Sequence, residues 1–324
     1  MLIASLTLLA GLVVLIVGGE LLVRGAVRVA ERAGMSQMLI GLTIVGFGTS
    51  SPELVASIEA ALAGSPGIAW GNVVGSNIVN SLMILGVASI IFPLAVLRGQ
   101  LWRDGGLALI MTAALWYFAS NGGMTAAIGG VFVAILCVYL GYVYWAEKKY
   151  HVTDTAVHEK AEALELADTH LHMNQPIWRS LLVLLGGLVL IILGGKWLVD
   201  GAIELARMIG LSEAVIGLTV IAIGTSLPEL VTSVIAAYKK ASAVALGNIL
   251  GSNIFNILFI GGITALIAPG PLPVEIVSFG LPLLLATSVL LLILAATGRK
   301  ISRWEGGILL IAYLGQLVYS LTAV

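Results

Sequence analysis

The sequence predicts an all-α polytopic membrane protein: ten transmembrane helices arranged as two inverted-topology repeats of five. Three observations predict it. The 324 residues are 59% hydrophobic and only 10% charged, with a mean hydropathy of +1.08, whereas a soluble domain carries about 25% charged residues. So few charges cannot cover so apolar a core in water, and a chain this apolar is not disordered. The apolar residues also gather into runs long enough to cross a bilayer, and the chain repeats itself at an offset of 176 residues.

A helix needs about 20 apolar residues to cross the hydrocarbon. Runs of that kind lie at 2–23, 36–62, 68–92, 104–119, 124–145, 178–199, 212–237, 243–267, 273–296 and 304–322, bounded by charges or Gly/Pro clusters. The first run has no basic stretch before it and no A-x-A cleavage site, so it reads as a retained span rather than a signal peptide. Lys and Arg set the orientation. With the N-terminus outside, fourteen of the sixteen fall on the inner side, among them Arg24, Arg28, Arg32, Lys239, Lys240, Arg299, Lys300 and Arg303; only Lys196 and Arg207 fall outside. The chain is therefore expected in the plasma (inner) membrane, multi-pass, with both termini outside.

Residues 147–177 form the one long polar segment. It holds all four histidines and, between Asp154 and Asp168, five acidic residues. It is expected to be a cytoplasmic linker between a first repeat at 1–146 and a second at 178–324. A regulatory metal site is the rival reading of its histidines, but a His-rich tract is a compositional hint only. The net charge of −1 offers no basic surface for nucleic acid, and the single cysteine, Cys137, cannot form an internal disulfide. The partner that composition implies is the lipid bilayer.

The repeat is strongest in two segments. GLTIVGFGTSSPELVAS at 41–57 returns as GLTVIAIGTSLPELVTS at 217–233, and GNVVGSNIVNSLMILG at 71–86 as GNILGSNIFNILFIGG at 247–262. Between 41–86 and 217–262 there are 24 identities in 46 positions. Five spans per half is an odd number, so the second half enters the membrane from the opposite side. Inverted repeats of this kind characterise secondary transporters, with a site near the midplane between the copies.

Glu53 and Glu229 are corresponding residues near the middle of their spans. An ionised carboxylate at that depth is costly and marks a functional site by default. No Lys or Arg lies at comparable depth. Two facing carboxylates repel, and either one protonates or a divalent cation sits between them. Pro52 and Pro228 remove an N–H and free the carbonyls of Gly48 and Gly224, so the helix is expected to break near Thr49. Freed carbonyls at this depth line cavities or bind ions. Ser50, Glu53 and Ser57 share a helical face, as do Ser226, Glu229 and Ser233. Asn72, Ser76 and Asn80 follow at i, i+4, i+8, matched by Asn248, Ser252 and Asn256. Gly75 and Gly251 allow close helix approach. The donors are all oxygens, which suits hard cations such as Ca²⁺ and Na⁺ rather than soft transition metals. A lone Ser or Asn in a membrane helix also serves as interhelical glue.

At GTSSPEL (48–54), GNxxGSNIxN (71–80) and their second copies, the sequence resembles the sodium/calcium exchanger family of the cation/calcium exchanger superfamily, in a compact prokaryotic form. The resemblance covers essentially the whole chain. It implies antiport of Ca²⁺ against Na⁺, usually three sodium ions per calcium, by alternating access and without a cofactor. It implies that Glu53 and Glu229 ligate both ions and that Thr49 and Thr225 add carbonyls. Ser50, Ser226, Ser76 and Ser252 would line the sodium sites, Asn80 and Asn256 would complete the central layer, and Gly46 and Ala222 would add further carbonyls. It also implies that the first and sixth helices slide against the rest. Potassium-dependent relatives, and some prokaryotic sodium/calcium exchangers, carry Asp where Asn256 stands, and its absence argues against potassium dependence; proton-coupled relatives carry an acid where Gly75 and Gly251 stand, and its absence argues against proton coupling. A proton/divalent-cation antiporter of the same fold is the alternative. A calcium channel and a membrane-embedded enzyme are the more distant rivals. Channels build rings from identical subunits, and no membrane His, GxSxG or HExxH is present.

Overall fold

The structure is a computed structural model, and it describes residues 1–32, 48, 50–96, 99, 101–150 and 177–322. The helices are α1 (Leu2–Arg32), α2 (Ser51–Leu62), α3 (Pro66–Ile91), α4 (Gly106–Ser120), α5 (Ala126–Tyr150), α6 (Ile177–Ile209), α7 (Glu213–Thr225), α8 (Leu227–Tyr238), α9 (Ser242–Phe255, carried on to Ile267), α10 (Ile276–Ala296) and α11 (Arg303–Thr322). Among the described residues, seven are long and apolar enough to cross a membrane, and α7 with α8 make an eighth as one span bent by 47°. The chain is an all-α polytopic membrane protein. The expected span 36–62 lies partly outside the described residues, its second part being α2. The expected span 104–119 falls on α4, whose 15 residues reach about 22 Å and are preceded by a π turn at Leu101–Gly105. α1 and α6 run to 31 and 33 residues, or about 46 and 50 Å, well beyond the expected 2–23 and 178–199. The segment expected as a linker opens with the last turn of α5, and 151–176 lies outside the described residues.

Burial follows membrane logic. Large apolar side chains such as Leu6, Leu9, Val13 and Val17 on α1 point outward, while Asn72, Ser76, Asn77, Asn80 and Ser81 on α3 and Asn248, Ser252 and Asn256 on α9 are buried. α3 and α9 are thus the interior of the bundle, and their polar face is turned away from lipid. Each is widened by a π turn, at Val79–Ile84 and Asn256–Ile260, and such turns cluster at functional positions.

Glycine decides how the halves meet. A Cβ placed on Gly11, Gly18 or Gly25 of α1 would lie 2.3–2.6 Å from the backbone nitrogens of Leu198, Ile191 and Leu184 of α6. A Cβ on Gly187, Gly194 or Gly201 of α6 would strike those of Leu22, Leu15 and Leu8 at 2.3–2.6 Å. Contacts that advance seven residues on α1 retreat seven on α6, so the two helices are antiparallel and pack backbone to backbone. Each glycine of one set matches one of the other at the repeat offset. The same exchange recurs elsewhere. Gly86 of α3 packs on Gly306 of α11, and Gly262 of α9, the counterpart of Gly86, on Gly129 of α5. Outside the helices, Leu94–Ala95 pairs antiparallel with Lys300–Ile301, and Met124 bridges Gly270. These join corresponding segments of the repeat, with the register displaced by one residue: Met124 pairs with Gly270, whereas their counterparts Lys300 and Leu94 pair with Ala95 and Ile301.

Gly194→Leu is expected to force α1 and α6 apart, at about 1–3 kcal/mol for overpacking, and to lower the melting temperature of the detergent-solubilised protein. Gly186→Leu, on the same helix with open space beside it, is expected to leave it unchanged. Equal melting temperatures for both would refute the glycine contact as the lock between these helices.

Candidate functional site

The two copies of the proline motif break their helices identically. Ser50 has φ −85° and ψ 9°, and Ser226 φ −85° and ψ 8°. New helices start at Ser51 and Leu227, with proline in the first turn, where its missing N–H costs nothing. The break thus falls one residue beyond Thr49, and Pro52 and Pro228 open new helices rather than interrupt old ones. Glu53 and Glu229 consequently sit in the first turn of α2 and α8, at the positive end of each helix dipole, which favours negative charge.

Both carboxylates are out of reach of solvent, at 1% and 0% exposure. Each is held by the other half. Ser226 Oγ donates to Glu53 Oε1 at 3.0 Å, and Ser50 Oγ donates to Glu229 Oε1 at 3.4 Å. Ser252 Oγ reaches the same Glu229 oxygen at 3.5 Å. The backbone at the carboxylates is clamped from α3 and α9. Asn72 Nδ2 donates to the Glu53 carbonyl and to Ser57 Oγ, both at 3.0 Å. Asn248 Nδ2 donates to the Glu229 carbonyl at 3.4 Å and to Ser233 Oγ at 2.8 Å. Thr225 Oγ1 donates to Asn72 Oδ1 at 3.0 Å, tying α7 to α3. A Cβ on Gly75 would lie 2.6 Å from the Leu218 carbonyl, so glycine there lets α3 close on α7.

The structure therefore gathers Ser50, Glu53, Ser226, Glu229 and Ser252 around one centre, with Thr225 attached to it through Asn72. Ser76 donates to Asn72 Oδ1 at 3.3 Å, so it joins through the clamp rather than on a carboxylate. Asn80 and Asn256 lie along the same buried faces of α3 and α9, and Asn256 has neither amide atom hydrogen-bonded. Thr49 and Gly46 lie outside the described residues. The freed carbonyls are not alike: Gly48 accepts from Ser51 Oγ at 2.6 Å, while the counterpart of Ser51 is Leu227, which has nothing to donate. Sequence reasoning missed this because Ser51 has no serine counterpart in the second motif. It also placed Asn72 and Asn248 on the right face without seeing that they hold main chain; their presence in both copies was the available signal. Among the described residues no three His, Cys, Asp or Glu side chains gather as a metal cluster. The centre offers two carboxylates and otherwise neutral oxygens.

That arrangement can be set beside known proteins. A family model described as "Sodium/calcium exchanger protein" matches residues 3–145 and 179–322. The chain belongs to this family. The exchanger is 37% identical over 319 residues to the CaxA protein of Alkalimonas amylolytica, covering 97% of this chain and 98% of that one. It is 34% identical over 339 residues to the sodium/calcium exchanger MaX1 of Methanosarcina acetivorans, with 97% of each covered. A solved structure of the sodium-calcium exchanger NCX_Mj, soaked with Na⁺ and Sr²⁺, superposes with a TM-score of 0.63 at 29% identity and covers 98% of both chains. Family and architecture make this exchanger a secondary transporter rather than an enzyme.

Asn72→Leu is expected to strand the Glu53 carbonyl side of the clamp and Ser57 in a dry interior, at about 1–3 kcal/mol per lost partner. Thermal unfolding of the solubilised protein would register this as a drop of several degrees, and an unchanged midpoint would mean that the clamp contributes nothing.

Proposed function

We propose that the exchanger moves Ca²⁺ against Na⁺ across the plasma (inner) membrane, three sodium ions per calcium, by alternating access and without potassium. One observation carries this reading: two buried carboxylates, one from each half, each hydrogen-bonded by a serine of the other half and surrounded by neutral oxygens. In the full reading ten spans form two inverted repeats, both termini lie outside, and 147–177 is a cytoplasmic linker between 1–146 and 178–324. The doubled contacts between the halves support it. Glu53 and Glu229 ligate both calcium and sodium, and Thr49 and Thr225 add carbonyls; Ser50, Ser226, Ser76 and Ser252 line the sodium sites; Asn80 and Asn256 complete the central layer.

Charge alone then couples the ions. Calcium between two carboxylates leaves the site neutral, three sodium ions leave it at +1, and an empty site holds −2 in a low-dielectric interior and resists rearrangement. Both ions compete for the same oxygens and so take turns. One net charge moves per cycle, and the membrane potential acts on it with about 2.3 kcal/mol per 100 mV over the full field.

The α1–α6 pair supplies the moving part. Gly19 of α1 lies against Ser51 and Pro52, yet its counterpart Gly195 lies against Val55 and Glu59, not against Leu227 and Pro228. The pair thus leans on α2. The repeat makes a mirror position, leaning on α8, available to the same sequence, and alternation between the two is the proposed access cycle. Proton coupling is disfavoured by Gly75, where the 2.6 Å approach of the Leu218 carbonyl leaves no room for an acidic side chain.

In vesicles with pH clamped and a protonophore present, an outward-directed sodium gradient is expected to drive ⁴⁵Ca²⁺ uptake, with or without potassium, and an inward-directed one is not. Its absence would reject sodium coupling, and a potassium requirement would reject that part of the reading. Glu53→Gln and Glu229→Gln are expected to abolish exchange; near-normal transport by either would place the site elsewhere. Ser76→Ala and Ser252→Ala are expected mainly to weaken sodium affinity.

A further inference from the structure

The two copies of GNxxGSNIxN are not wired alike. In the first, Asn80 Nδ2 donates to Asn253 Oδ1 at 3.1 Å, and Asn253 Nδ2 donates in turn to Ser81 Oγ at 2.9 Å. All three residues are buried. Asn80 and Ser81 lie in the π turn of α3, and Asn253 comes from α9, so the chain of bonds crosses between the halves. The reverse network is absent. The counterpart of Ser81 is Ile257, which can neither donate nor accept. Asn77, the counterpart of Asn253, donates instead to the Val73 carbonyl of its own helix at 2.7 Å.

We infer that Ser81 and Asn253 are positioning residues that fix which end of the Asn80 amide faces the cation. An amide carries an acceptor oxygen on one side and an NH₂ donor on the other. Turned the wrong way, it points N–H groups at a positive ion and repels it. A carboxylate needs no such device, because both of its ends are oxygens. The relay engages the nitrogen of Asn80 and leaves Oδ1 buried with no hydrogen bond from the protein, which is the state of an oxygen held for a metal ion. Ser81 anchors the relay because its hydroxyl accepts the Asn253 N–H. Partners that orient a ligand without touching the ion commonly change affinity by about tenfold or more.

The inference rests on the reading of Asn80 as part of the cation site, and the test separates the two. In sodium-driven ⁴⁵Ca²⁺ uptake, Ser81→Ala and Asn253→Ala are expected to raise the calcium KM about tenfold, with the maximal rate little changed. Ser81→Thr, which keeps the hydroxyl, is expected to restore the wild-type KM. In an Asn80→Ala background, Ser81→Ala is expected to add nothing, because the amide that it orients is gone. Additive effects, an unchanged KM in both alanine variants, or no rescue by threonine would overturn the inference. Glu53→Gln in the same vesicles reports on the underlying site. If it is inactive while Ser81→Ala and Asn80→Ala add independently, the relay alone fails. If it transports normally, the site itself is misplaced. Size-exclusion profiles of each variant establish that it is folded, and Asn253→Ala provides a second way to cut the relay should Ser81→Ala not assemble.

Discussion

Two negative charges enclosed in a lipid-embedded interior constrain everything else in this protein. Each carboxylate needs hydrogen-bond donors and a favourable local field, and for each acid one donor comes from the opposite half. The helix breaks place Glu53 and Glu229 at helix starts, where the dipole is favourable. The donors cross over, Ser226 to Glu53 and Ser50 to Glu229. Splitting the halves would therefore leave both acids without their cross-half donors in an interior where such losses are expensive. The electrostatic demand of the site and the cohesion of the fold are one requirement.

The way the halves are joined follows from the same demand. A site that must open and close cannot be sealed by large interdigitated side chains along every interface. α1 and α6 meet through glycine backbones on one side and present large apolar residues to lipid on the other. That makes them a thin two-helix unit lying across α2 and α7. The interior, by contrast, is held by buried amide clamps from Asn72 and Asn248, which grip main chain rather than side chain. Directional bonds fix the centre, while non-directional van der Waals contact joins α1 to α6, the pair proposed to shift.

Departures from symmetry are as informative as the symmetry. Ser51 caps the Gly48 carbonyl, yet Leu227 cannot cap that of Gly224; Ser81 anchors Asn253, yet Ile257 anchors nothing. Reading the repeat forward assigns equal roles to paired positions, and that works for the glutamates, the prolines and the clamp asparagines. It fails where one copy has exchanged a hydroxyl for a hydrocarbon, because hydrogen bonding depends on which atoms face each other and not on which positions correspond.

The sequence by itself determined the environment, the repeat and the polar residues that line the interior. Composition forces a bilayer, duplication is visible as identity, and a carboxylate repeated at mid-span is too costly to be incidental. It also located the helix break to within a residue, since proline acts locally. Only the tertiary structure decided that the break turns each glutamate into a helix-start residue, that its serine partner comes from the opposite half, that α1 and α6 are antiparallel neighbours, and that the pair rests on α2. The serine–glutamate pairings, for instance, join residues 173 and 179 positions apart in the chain. Periodicity and local propensity carry no information on such separations; the packing of glycine surfaces and the pairing of buried polar atoms fix them.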